Sequence, residues 1–118
     1  MNNVKNNLKP AQVLQITNIL RSLGLNTSYR GTKLINKIIQ YVIKYDIEFI
    51  TLNQIYSKLS KEYGYSINAI RNNINYALSN RNITLSKINF VKVFDYEYHE
   101  KNFEPKVFIE EISSILKY

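Results

Sequence analysis

The chain has no cysteine, no tryptophan, one histidine, two prolines and three glycines in 118 residues. Without cysteine there are no disulfides, no thiolate nucleophile and no cysteine-bound zinc. A single histidine, His99, supplies neither a histidine metal site nor a conventional catalytic triad. No run approaches the roughly 18 apolar residues of a membrane-spanning helix. The start, Met-Asn-Asn-Val-Lys-Asn-Asn, lacks the apolar segment of a signal peptide. The expectation is a protein that is not an enzyme, with no cofactor, no metal and no membrane association.

Acid is scarce as well, and unevenly so. Residues 1–92 hold 13 Lys/Arg against 3 Asp/Glu, a net +10, whereas residues 93–118 hold 3 against 6, a net −3. A basic body favours an anionic partner, nucleic acid first. A second source of lysine must be weighed. Asn, Ile, Lys and Tyr fill 55 of the 118 positions, and all four have A/T-rich codons, so a biased genome supplies lysine without selection for binding. Hydrophobic residues at 45% and charged residues at 21% give ordinary globular composition. The length suits one domain.

Apolar spacing predicts helices along most of the chain. Residues 1–9 read as a loose arm, and 10–118 as one domain. Pro10 opens a first helix with Val13, Ile16, Leu20 and Leu23 inward and Gly24 as its stop. A second runs from about Thr32 to Tyr45, where Leu34/Ile35, Ile38/Ile39 and Val42/Ile43 repeat every four residues as a wide apolar stripe. Thr51 and Gln54 form a capping-box pattern for a third, which carries Leu52, Ile55, Leu59 and Tyr63 inward and stops at Gly64. Ser66 caps a fourth, with Ile67, Ile70, Ile74 and Leu78 inward. Leu85 and Ile88 fit a short helix, but Val91 to Tyr96 reads as extended, so coil or a small β-hairpin wing over 90–98 is open. Pro105 begins a last helix with Phe108, Ile109, Ile112, Ile115 and Leu116 inward. The fold class is all-α, a bundle of about six helices containing a helix-turn-helix over Leu52–Ser79.

The helix after Ser66 carries the functional signal. At 100° per residue its inner stripe leaves Asn68, Asn72, Asn75, Tyr76 and Ser79 outward, with Arg71 and Asn73 at the edges. Asparagine bonds adenine bidentately and arginine bonds guanine, so this face suits an A-rich major groove. Asn68, Arg71, Asn72, Asn75 and Tyr76 are the candidate base readers. Arg30, Lys33, Lys58, Lys61 and Arg81, with Ser66 at the helix start, are the candidates for backbone phosphates. Lys37 and Lys44 could contact phosphates too, although a lysine on a helix is more often part of a solvated face. Glu97, Glu100, Glu104, Glu110 and Glu111 lack the glycine-turned loop of a cation site and read as a solvated acidic face. Asparagine is also abundant everywhere in this chain, so a packing-only helical hairpin is the competing reading of the same segment.

Ile16 to Leu20 with Leu23-Gly24-Leu25, Arg30-Gly31, Tyr45-Asp46-Ile47-Glu48, Thr51 to Tyr63, the Ile70/Ile74/Ala77/Leu78 spacing and Phe108-Ile109 with Leu116 together resemble the C-terminal effector domain of the sporulation master regulator family (stage zero sporulation protein A). The resemblance implies a stand-alone double-stranded DNA-binding domain without a receiver, in the bacterial cytoplasm with the nucleoid. The family's DNA-reading positions, a Glu-Arg pair and then an Arg-His pair, fall on Arg71, Asn72, Asn75 and Tyr76, so a different operator is expected. The segment after that helix is a few residues shorter than in the family, where it meets the RNA polymerase sigma factor, which argues against that contact. The expected roles are transcriptional regulation or marking of a plasmid or phage DNA site, alone, as a homodimer or in tandem on an AT-rich duplex. The alternative is a protein-interaction module or decoy that keeps the fold without binding DNA.

Overall fold

The computed structural model describes residues 8–45 and 51–117, and these are all-helical: α1 (Pro10–Ser22), α2 (Arg30–Lys44), α3 (Leu52–Tyr63), α4 (Ile67–Ser79), α5 (Ile83–Phe94) and α6 (Pro105–Lys117), with one 3-10 turn, Glu100–Phe103, before α6. The expected arm lies outside the described residues except for its last two. Of these, Leu8 packs against the core and the Lys9 amide donates to the Gln12 side chain at 2.9 Å, so the chain is already anchored there.

Helix α2 is central, as its wide stripe requires. Leu34, Ile35, Ile38, Ile39, Val42 and Ile43 are all buried, and α1, α4 and α6 pack around it. Its closest neighbour is α4. Gly31 makes that approach, since a Cβ there would stand 1.9 Å from the Asn73 carbonyl oxygen and 2.8 Å from Ala77 Cβ. Ile70, Ile74, Ala77 and Leu78 of α4 fill the space against α2 and α3.

The short helix that Leu85 and Ile88 fit continues through residues 91–94, which corrects the extended reading of that stretch. There is no wing: α5 is a full helix, capped by Asn82, whose side chain accepts from the Leu85 amide at 3.1 Å, and ended by Asp95 in the left-handed region at φ 62°. Two tertiary effects override the β-forming Val91, Val93 and Phe94. First, Phe90 and Phe94 enter an aromatic cluster, with ring centroids 4.6 Å apart and Tyr96, Tyr98 and Phe103 around Phe90. Second, α5 satisfies the free carbonyls at the end of α1. Ser86 donates to Leu23 O at 2.6 Å, Asn89 to Ser22 O at 2.6 Å and the Asn82 amide to Gly24 O at 2.8 Å. Leu85, Ile88 and Val91 are left exposed.

Smaller differences lie at the edges of the apolar stripes. Tyr63, Ile67 and Ile115, expected inward, are exposed, and Tyr56 is buried instead. Thr51 stands at the α3 N-cap without a side-chain bond, so its capping box does not form. Two of the tail carboxylates are engaged: Glu100 by Arg81, and Glu111 by the Tyr96 hydroxyl. Burial and then Glu111 push the Tyr96 phenol up to about 12.

Candidate nucleic-acid interface

The segment from α3 to α4 is two helices joined by three residues, and each joint has an identifiable cause. Gly64 turns the chain at φ 76°, with its amide donating to Ser60 O at 2.9 Å. The Ser60 hydroxyl crosses the turn to the Tyr65 carbonyl, so its small side chain fixes the turn as well as leaving room. Ser66 then starts α4 by accepting from the Ala69 amide at 3.0 Å. The pair is therefore a preset unit, held from inside by Ile55, Tyr56 and Leu59 against Ile70 and Ile74.

Asn68, Asn72, Asn75, Tyr76 and Ser79 are all exposed on α4, as the periodicity predicts. Their states differ in ways that spacing does not reveal. Asn68 Oδ1 accepts from Arg71 Nη1 at 3.0 Å, which takes up one of its two acceptor positions and fixes its orientation. Arg71 Nη2 also donates to Asn53 Oδ1 at 3.2 Å, tying α4 to the start of α3. Asn53 is the residue that sequence reasoning missed here, and no local pattern marks a partner 18 positions away. Asn73 is spent on its own helix, donating to Ala69 O at 2.7 Å. Tyr76, still 55% exposed, rests against Tyr29 with ring centroids 5.3 Å apart. Asn72 and Asn75 make no side-chain hydrogen bond among the described residues, so each keeps both an acceptor and a donor. That pair of functions is what bidentate contact with adenine requires.

The phosphate candidates divide into three groups. Arg30 and Lys33 come together with Ser28, Tyr63 and Tyr65 around a recess of about 530 Å³ beside the turn, where the Arg30 guanidinium lies 4.6 Å from the Tyr65 ring centre. Lys61 shares the outer surface of α3 with Gln54, Ser57, Lys58 and Glu62, whose carboxylate is the one acid there. Lys58 is drawn back toward α2, with its ammonium 4.8 Å from the Tyr41 ring centre. A hydrogen bond to the Tyr41 hydroxyl is the main reason its pKa stands above the usual lysine value. The Ser66 oxygen is already engaged as the α4 cap.

Arg81 is a correction. It is 8% exposed and cannot meet a phosphate. Its guanidinium donates to Ser86 Oγ (3.1 Å), Leu78 O (2.8 Å), Tyr98 OH (2.9 Å) and Glu100 Oε1 (2.8 Å), and lies 3.9 Å from the Phe103 ring centre. A charge can be buried when every donor finds an acceptor, and here most of them do.

Acid is sparse around this surface, though not absent from it. Residues 1–45 and 63–94 contain no Asp or Glu at all, so α4 itself carries no acid, and the carboxylates beside its C-terminal half are Glu100 and Glu104, which share a concavity with Asn75 and Ser79. The first turn of α4 is likewise free of acid, leaving its positive helix end uncompensated. Among the described residues no His, Asp or Glu cluster is placed to hold a metal ion, and no helix is long and apolar enough to cross a membrane. No family model, no curated protein and no solved structure matches this chain, and its α4 surface is defined by its own side chains alone.

Proposed function

We propose that this protein binds double-stranded DNA in a sequence-dependent way, with α4 in the major groove and Arg30, Lys33 and Lys61 on the backbone. One observation carries the reading. Asn72 and Asn75 stand exposed and unbonded on a helix whose opposite side is core and which itself carries no carboxylate. The resemblance to sporulation-regulator effector domains points the same way, and regulation of transcription or marking of a DNA site is the corresponding role. Arg71 is then a positioning residue as much as a reader, because it spends two of its donors on Asn53 and Asn68. Adenine recognition falls first to Asn72 and Asn75, because Asn68 already spends one acceptor position on Arg71.

Fluorescence anisotropy on duplexes selected from a random pool tests this. Log K should fall with log salt at about −0.9 per phosphate contact, and Arg30→Ala should flatten the slope by about one contact. Asn72→Ala and Asn75→Ala should each cost about 1–3 kcal/mol on the selected site and leave random DNA and thermal stability nearly unchanged. Equal losses on every sequence would make both residues backbone holders. Absence of salt-dependent duplex affinity would remove the DNA reading.

The second reading, a protein-interaction module, has its own support. Leu85, Ile88 and Val91 line one exposed side of α5. An apolar strip of that kind suits a protein surface better than a phosphate backbone.

A further inference from the structure

Between the start of α1, the second half of α2 and α3 lies another concavity, of about 380 Å³, and no residue of α4 or of the turn before it lines this space. Its polar wall follows from helix spacing. Lys37, Tyr41, Lys44 and Tyr45 stand at i, i+4, i+7 and i+8 on α2, on the strip that the core stripe leaves over, and α3 adds Lys58 and Glu62. The Tyr41 and Tyr45 rings pack 4.6 Å apart. The Lys58 ammonium lies 4.8 Å from the first ring centre and 5.9 Å from the second, and the Lys44 ammonium lies 5.6 Å from the second. Lys44 and Lys58 thus share one tyrosine, and Lys37 lines the same groove.

The lining is unbalanced in charge. Three lysines and one carboxylate line the groove, and among the described residues none of the three lysines forms a salt bridge. Lys37 and Lys44 are half-buried, where repulsion is screened less than in open water. Tyrosine faces offset part of that repulsion, but a ring is a weak substitute for an anion. An excess of two positive charges calls for a ligand carrying more than one negative charge. The volume exceeds that of a single phosphate ion and lies within the range of small-molecule sites. Because ammonium groups already occupy the ring faces, recognition rests on charge and hydrogen bonds and not on stacking of a base.

We propose that the groove between α1, α2 and α3 binds a polyphosphate chain, either inorganic or carried by a nucleoside, through Lys37, Lys44, Lys58 and the Tyr41 hydroxyl. The site is separate from the α4 surface and does not depend on the DNA reading.

Thermal unfolding and calorimetric titration of the full chain test it, with sodium tripolyphosphate, ATP, adenosine and sodium chloride matched in ionic strength. Tripolyphosphate and ATP should each raise the unfolding temperature in a saturable way, while adenosine and matched chloride should not. The double variant Lys37→Gln/Lys44→Gln should fold normally, keep its duplex affinity and lose at least about tenfold in polyphosphate affinity, because charge-assisted hydrogen bonds are removed. Equal affinity for the two ligands identifies the bare chain as the determinant, and tighter ATP binding adds a contribution from the nucleoside. An equal effect of chloride, or unchanged affinity in the double variant, overturns the proposal. So does a matching loss of duplex affinity in that variant, which would assign these lysines to DNA.

Discussion

Gly31→Ala should be the most damaging single-methyl change in this protein, lowering stability by about 3 kcal/mol or more and the unfolding temperature by roughly 10–20 °C. The new Cβ would stand 1.9 Å from the Asn73 carbonyl oxygen and 2.5 Å from its carbon. Both are main-chain atoms of α4, so no rotamer change relieves the contact. Helix α4 must retreat from α2 by more than 1 Å, and the burial of Ile70, Ile74 and Ala77 is loosened along its length. Gly64→Ala is the control. Its φ of 76° imposes strain of about 1–2 kcal/mol, but nothing lies within 4 Å of the added carbon. Circular dichroism melts of the two variants separate close approach from backbone conformation. A Gly31→Ala protein as stable as Gly64→Ala would mean that the α2–α4 packing is looser than described.

Arg81→Met should cost about 2–4 kcal/mol, although it substitutes an apolar side chain of similar length into a buried position. The loss comes from what stays behind, because Leu78 O, Ser86 Oγ and Tyr98 OH each lose a donor, and an unmatched buried group costs about 1–3 kcal/mol. Glu100 is a smaller part of the total because its side chain is 71% exposed and rehydrates. It does give the variant a pH signature. Arg81, and then the Tyr98 hydroxyl, hold the Glu100 carboxyl below the usual carboxylate range. A carboxyl whose folded pKa is depressed adds stability above its unfolded pKa and loses it as pH falls through the folded value. Urea melts from neutral pH down through about pH 4 should show that acid-side loss in the parent and its reduction in Arg81→Met. Parallel acid profiles would mean that the pair adds nothing to folding.

The course of α1 to α4 was legible because several local signals agree there. Pro10, Gly24, Ser66 and Gly64 punctuate helices whose apolar positions recur at helical spacing, and the core residues Ile16, Ile39, Ile70 and Ile74 follow from that spacing alone. Only the first half of α5 was legible, because Val91 to Phe94 favour strand and their helical state goes with the bonds of α5 to the carbonyls of α1 and with aromatic partners elsewhere in the chain. Arg81 was misread for a related reason. Lysine and arginine default to the surface, and the Tyr98 and Glu100 that hold this one lie 17 and 19 residues further on. On α4 the outward face was readable from its period, but which asparagines remain free was not. Arg71 decides that for Asn68, and Asn73 bonds back to its own helix, neither of which a period encodes.

The bonds that α5 makes to the end of α1 also bear on rates. Ser86 to Leu23 spans 63 residues and Asn89 to Ser22 spans 67. The entropy of closing a loop grows with its length, so contacts this distant in sequence form after the local helices and the α3–α4 pair. Bonds absent from the transition state govern unfolding and not refolding. Asn89→Ala, losing a bond worth about 1 kcal/mol, should therefore speed unfolding about fivefold and leave the refolding arm of a stopped-flow chevron in place. A slowed refolding arm would instead put α5 in the folding nucleus. With the unfolding arm alone displaced, the clasp between α1 and α5 sets how long the folded state lasts, not how fast it is reached.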